Sequence, residues 1–257
     1  MEILNAVRES VALKESRSYG PLIGHFEARK AVAEYSGVQD VTPDDVTICS
    51  GCSHAIDLVV TTLAEAGQNI LPKLNWKVDL KSLENQIDEN TVAIVVNNPS
   101  NPCGSVYDKE HLCEILDVAS RNHLPIIADE IYEDFVFTNE QFVPIASLSK
   151  DVPVLTCSGL TKRFLVPGWR LGWVIIHDKN GILGKEVRKA MSNMSSRILG
   201  ASTLIQQALP RILKCATHRS MYMMVEIKMS VFPEFTNELQ FIKELCREQS
   251  VLCIPGH

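Results

Sequence analysis

The sequence predicts an α/β protein built on a mostly parallel sheet flanked by helices, and two observations carry that expectation. Helical and extended patterns alternate along the 257 residues, as strand–helix–strand units require. Two short apolar runs, Thr91-Val-Ala-Ile-Val-Val96 and Leu124-Pro-Ile-Ile-Ala128, lack polar alternation and read as strands buried on both faces. Each run ends in polar residues, the first in Asn97-Asn98-Pro99 and the second in Asp129. Open α/β sheets bind ligands at the carboxyl ends of their strands, so these ends are where function is sought.

Taken in order, residues 24–35 carry apolar positions at helical spacing, 46–49 read as a strand, 53–66 as a helix and 69–71 as a short strand. Residues 79–87 read as a helix leading into the strand that starts at Thr91. Asp108 precedes an amphipathic pattern running to Arg121, which makes it the expected N-cap, a short acceptor for free N–H groups. After the strand ending at Asp129, residues 152–156 and 170–177 read as further strands. One long helical pattern covers 185–213. Residues 221–227 and 251–254 look like strands flanking a helix over 237–249, which suggests a smaller, incomplete α+β domain. The expected division is a large domain over 18–213, with 1–17 and 218–257 forming part of the smaller one.

Composition excludes several classes. The net charge of −6 comes without a basic cluster, which argues against a nucleic-acid or anionic-membrane surface. No apolar run reaches the ~18 residues of a membrane span. The N-terminus lacks the basic and apolar regions of a secretion signal. Cys49 and Cys52 have Cys-x-x-Cys spacing, but no second pair or His-x-x-x-His follows. They read as small buried thiols, with no metal site. Reduced thiols without a signal fit the cytoplasm, with the mitochondrion left open.

The most informative segment is Gly159-Leu-Thr-Lys162, followed by Arg163 and, after a short apolar run, Pro167-Gly-Trp-Arg170-Leu-Gly172. A lysine in a polar turn and an arginine eight residues later answer two needs of a pyridoxal-phosphate site, an amine for a Schiff base and a partner for a phosphate. Together with Asn-Pro-Ser-Asn-Pro-Cys-Gly over 98–104 and Ala128-Asp129-Glu130-Ile131-Tyr132, the chain resembles the fold-type I pyridoxal-phosphate aminotransferases, and within them the tyrosine aminotransferases. The likeness covers nearly the whole chain.

That resemblance implies roles. Lys162 is the internal-aldimine lysine, and Asp129 pairs with the pyridine nitrogen. Asn101 and Tyr132 hydrogen-bond the ring oxygen. Gly51, Cys52 and Ser53, between a strand and a helix N-terminus, offer N–H groups to the phosphate, with Arg170 as its charged partner. Relatives often carry a serine three residues before the lysine. Gly159 stands there instead, leaving Ser158 as the candidate contact. Tyr19 matches a tyrosine that reaches the neighbouring subunit's phosphate, which implies a homodimer with shared sites. The implied reaction moves an amino group from an aromatic L-amino acid, tyrosine above all, to a 2-oxo acid such as 2-oxoglutarate.

Three departures stand out. After Gly67-Gln-Asn-Ile-Leu71 the family continues into a Pro-rich turn with an aromatic residue that stacks on the ring. Here Pro72-Lys73-Leu74 passes directly to Asn75-Trp76, which resembles a region further downstream. A second block is missing between Lys214 and Met221, and the family's arginine for the substrate carboxylate falls beyond His257. Two other readings therefore stay open: a shortened, non-catalytic relative that binds cofactor or partner subunits, and a carbon–sulfur lyase on the same fold.

Overall fold

The computed structural model describes residues 2–73, 77–136, 140–215 and 231–249. They fall into two compact units, Met1–Tyr222 and Met223–His257. In the first, the helices α1 (Glu2–Ser10) and α2 (Phe26–Tyr35) precede β1 (Val46–Cys49), α3 (Cys52–Leu63) and β2 (Asn69–Lys73). Next come α4 (Leu80–Glu84), β3 (Thr91–Asn97), α5 (Lys109–Arg121), β4 (Ile126–Asp129), α6 (Ile145–Leu148) and β5 (Val154–Gly159). The unit closes with β6 (Gly172–His177), α7 (Gly184–Ser195) and α8 (Thr203–Ile212). The second unit holds α9 (Glu238–Gln249), where Phe241 stacks near Phe232 and Phe235 at 4.8 and 5.2 Å between ring centroids.

The strands form a six-stranded sheet in the order β1-β6-β5-β4-β3-β2. β2 to β5 are parallel to one another, while β6 is antiparallel to both its neighbours, β5 and β1. The carboxyl ends of β1 to β5 therefore share one edge with the amino end of β6. Both faces are covered, as the unbroken apolar runs predict. Alternate residues point to opposite faces, so Ile94, Ile126 and Val154 pack on Leu112, Ile115 and Ala119 of α5. Ile127, Leu155 and Val174 pack on Leu58 of α3 and Met191 of α7 from the other side. Each such fully buried side chain stabilises the fold by about 1.5–3 kcal/mol.

Asp108 caps α5 as expected, its carboxylate accepting from His111 N at 2.7 Å. Three expectations need correction. The pattern over 185–213 is not one helix. α7 gives way to a 3-10 turn, and Leu199 and Gly200 take left-handed φ values of 56° and 82°, which no continuous helix tolerates. Residues 1–17 belong by their contacts with the larger unit: Ala6 is buried beside Leu209 and Ile212 of α8, and Ser10 Oγ donates to Leu204 O at 3.0 Å. The strand expected from residue 170 begins at Gly172, because Arg170 is left-handed at φ 48°. The strands expected over 221–227 and 251–254, and the junction at Asn75-Trp76, lie outside the described residues. Among the described residues no helix is long and apolar enough to cross a membrane.

Gly172 decides how closely α3 can approach the sheet. A Cβ there would stand 2.5 Å from Gly51 C, 2.6 Å from Cys52 N and 2.8 Å from Ser158 O. All three are backbone atoms, so no rotamer relieves the clash. Gly172→Ala is therefore expected to destabilise the protein by about 1–3 kcal/mol, read as a lower urea midpoint. An unchanged midpoint would mean that the approach of α3 to β6 is looser than drawn here.

Candidate active site

Four strand ends build the site. β1 ends at Cys49 and the chain turns through Ser50 and Gly51, whose φ of 87° suits glycine, into the N-terminus of α3. The first N–H groups of a helix have no intrahelical partner, and the helix dipole makes that end positive. His54, in the first turn, accepts from Ser50 N at 3.1 Å, and burial holds its imidazole below its usual ionisation range. Arg170 lies directly over this turn. Its guanidinium donates to Ser50 O and Pro167 O at 3.1 Å each, and a Cβ on Gly51 would sit 2.7 Å from its Nη2. Cys52, Ser53 and Arg170 thus form a positive pole with an exposed cation and the first N–H groups of the helix, suited to a phosphate, whereas the Gly51 N–H already donates to Cys49 O at 2.9 Å.

The opposite pole is Asp129 at the end of β4. Its Oδ1 accepts from Ile131 N at 3.3 Å and from the Cys52 thiol at 3.7 Å. Burial raises the Asp129 pKa, opposed by those two donors and by the charge of Lys162. A carboxylate desolvated this way gains most from a cationic ligand group placed against it. Cys49, Cys52 and Cys157 are free and buried. Burial pushes Cys49 up to about 12 and raises Cys52 and Cys157 as well, so the thiols stay protonated and Cys52 remains a donor.

Lys162 rides on the turn after β5. Buried Leu160 and Phe164 anchor that turn, and Leu165 N donates to Lys162 O at 3.1 Å. Lys162 Nζ stands 5.0 Å from the centroid of the Tyr132 ring, within cation–π range. Tyr132 itself is buried, edge-on to Phe135 at 6.0 Å. Lys162 and Tyr132 therefore lie near the Asp129 carboxylate, whose Cys52 contact links it to the anion-binding pole. Asn101 stands exposed on the turn after β3, its N–H donating to Asn97 Oδ1 at 2.6 Å.

Two candidates behave differently. Ser158 is on β5, one residue past Cys157 and hence on the other face. It is buried, and its hydroxyl donates to Glu133 Oε1 at 3.2 Å, away from the Arg170 pole. Tyr19 is 84% exposed on the stretch before α2, so its side chain adds nothing to the site within this chain.

Sequence reading missed the polar cluster behind the site. Tyr35, Glu130, Glu133, Thr156, Ser158, Trp173 and His177 line a small cavity. Tyr35 Oη donates to Glu133 Oε1 at 2.8 Å, and Glu130 Oε1 accepts from Ile145 N at 3.0 Å. Burial raises Glu133 to about 7 and lowers His177 to about 4. The Tyr132-Glu133-Asp134 run was the available signal, since three polar residues after a buried strand are seldom all solvated.

A mostly parallel sheet with this lysine, aspartate and anion pole at one edge defines a transaminase-like α/β protein. The family "Aminotransferase class I and II" matches residues 2–74 and 71–251, and the chain belongs to that family. It is 41% identical to a tyrosine aminotransferase of Bos taurus, the match covering 99% of this chain and 71% of the relative, and 40% identical to that of Homo sapiens, covering 70% of it. The bovine alignment runs over 317 positions against 257 residues, so the relative carries stretches with no counterpart here. The crystal structure of tyrosine aminotransferase from Leishmania infantum superposes with a TM-score of 0.80 at 30% identity, over 84% of this chain. This chain spans only 61% of that protein's length.

Glu133 and His177 oppose each other in acid. Between 4.5 and about 7 the folded chain keeps a proton on Glu133 that the unfolded chain has lost, so this group's stabilisation fades as pH rises. Between 6.5 and about 4 the unfolded chain protonates His177 while the folded chain refuses it, so that group's stabilisation fades as pH falls. Glu133→Gln removes the first effect alone. Relative to the parent, the variant is expected to lose stability on acidification from about pH 6.5 to 4.5, by up to about 1.4 kcal/mol per unit. Urea unfolding across that range reads it, and parallel pH profiles for the two proteins would refute it.

Proposed function

We propose that the chain is a pyridoxal-phosphate-dependent aminotransferase that takes the amino group of an aromatic L-amino acid, tyrosine foremost, and delivers it to a 2-oxo acid such as 2-oxoglutarate. The observation that carries this reading is the convergence of Lys162, Tyr132 and Asp129 beside the Gly51–Arg170 pole. The substrate preference rests on the names of the relatives.

The residues present fit the group. A desolvated carboxylate, a positive pole in which Arg170 closes over Gly51 and a nearby amine match a cationic ring nitrogen, a phosphate and an aldehyde in turn. When bound, pyridoxal phosphate supplies an electron sink for the substrate's Cα. Arg170, with the N–H groups of Cys52 and Ser53, holds the phosphate. Asp129 keeps the ring nitrogen protonated, and the Cys52 thiol steadies Asp129. Lys162 would hold the group through its amine and would carry the proton to and from the substrate's Cα. Tyr132 and Asn101 orient the ring through its oxygen. A homodimer, with Tyr19 reaching the partner's phosphate, and a cytoplasmic location complete the proposal.

The two matched blocks meet at 71–74, which supports the reading that the family's ring-stacking aromatic is skipped there. Charge and hydrogen bonding then carry more of the affinity than in a full-length relative. Arg170→Gln is accordingly expected to weaken pyridoxal-phosphate binding by about 10- to 100-fold, the equivalent of one charge-assisted hydrogen bond, in an absorbance titration. Equal affinities would remove Arg170 from the phosphate site.

Borohydride reduction of the loaded protein, followed by peptide mapping, is expected to label Lys162. Label on another lysine would overturn the assignment, and turnover of tyrosine with 2-oxoglutarate tests the reaction itself.

A further inference from the structure

Lys162 and Tyr132 stand on separate turns, after β5 and after β4, and each is followed by charged residues that meet one another. Arg163 Nη1 donates to Tyr35 Oη at 2.6 Å and to both oxygens of Asp134 at 3.1 and 3.2 Å. The Tyr35 hydroxyl reaches Glu133 Oε1 at 2.8 Å and Asp134 Oδ2 at 3.1 Å. The guanidinium also lies over two rings, 4.9 Å from the Tyr35 centroid and 5.3 Å from that of Phe164. Tyr35, the last residue of α2, is itself fixed edge-on to Trp173 at 6.0 Å.

We infer that Arg163 is a positioning residue: through Tyr35 and Asp134 it fixes the turn that carries Lys162 against the turn that carries Tyr132. This rests on the proposed role of Lys162. The Arg163–Asp134 pair is largely screened from water, with side chains 17% and 27% exposed, so its geometry is better defined than that of a surface ion pair. The Arg163 Nη1 is shared among three acceptors while the guanidinium carbon lies over two rings, so the side chain is held from both sides. Burial and the carboxylates of Glu133 and Asp134 raise the ionisation of Tyr35, so its hydroxyl keeps its proton and its direction. Without this link the Lys162 turn relies on the buried Leu160 and Phe164 and on a few backbone bonds, among them Leu165 N to Lys162 O at 3.1 Å and Val166 N to Thr161 O at 3.2 Å.

The test compares the full chain with Arg163→Gln and with Tyr35→Phe, which removes only a hydroxyl. Without cofactor, amide hydrogen exchange is expected to rise at least tenfold at Leu165 and Val166 in Arg163→Gln, and by less in Tyr35→Phe, while Ile94 and Ile126 in the sheet are unchanged. With pyridoxal phosphate as probe, the protein-bound absorbance band should develop at least tenfold more slowly in Arg163→Gln. The double variant should be no slower than Arg163→Gln alone, because both changes cut one link. Exchange that is unaltered in the turn, or raised equally through the sheet, overturns the inference. Absence of any borohydride-fixed band in the parent chain would instead overturn the cofactor reading, and the exchange comparison would still judge the link.

Discussion

Gly172 has no side chain because there is no room for one. The register that pairs it with Gly159 on one side and Cys49 on the other presses β6 against the turn where β1 becomes α3. A Cβ at that point would meet the backbone of Gly51 and Cys52. Because it is absent, the positive end of α3 is seated at the sheet edge, Arg170 folds over Gly51, and the Cys52 thiol, just after β1, reaches Asp129 at the end of β4. Widening this contact by a few tenths of an ångström would separate the anion-binding pole from the partly buried Asp129 carboxylate, and the site depends on their spacing.

The run from Asp129 to Asp134 divides its side chains between two environments. Asp129 and Tyr132 face Cys52 and Lys162, while Glu130, Glu133 and Asp134 turn toward Ile145, Tyr35 and Arg163. Burial raises the pKa of Asp129, Glu130 and Glu133 alike, yet their partners differ. Glu130 accepts from one backbone N–H and Glu133 from two hydroxyls, whereas Asp129 has a weak thiol donor, a long backbone contact and a lysine nearby. Asp129 is the one of the three that lies at the sheet edge beside a lysine and the α3 terminus, as expected of a group that awaits a ligand.

Much of the sheet was legible because its signal is local. β3 and β4 are apolar runs ended by a polar residue, and Asp108 caps α5 through a contact three positions away. Lys162 and Arg170 were legible as a spaced pair, although only the structure reveals that Arg170 leans on Ser50 across 120 positions of sequence. What escaped was non-local or hidden by continuous patterning. The break between α7 and α8 interrupts helical spacing that continues on both sides, and it depends on Gly200 turning beside the Leu22 carbonyl. No pattern within residues 1–17 reveals that Ala6 finds its apolar partners on α8, far along the chain. Ser158 followed from counting back from the lysine, but strand alternation sends it to Glu133. The Tyr35–Arg163 contact joins residues 128 positions apart, and no spacing rule announces it.

The central claim is that one edge of the sheet holds an anion at the α3 terminus and a cation at Asp129, with Lys162 between them. A crystal structure of the chain grown with pyridoxal phosphate tests it most directly. The account predicts phosphate density against Arg170 and the N–H groups of Cys52 and Ser53, the ring nitrogen within hydrogen-bond distance of Asp129, and continuous density from the ring to Lys162. Density for the phosphate away from Arg170, or a ring whose nitrogen faces no carboxylate, would contradict it.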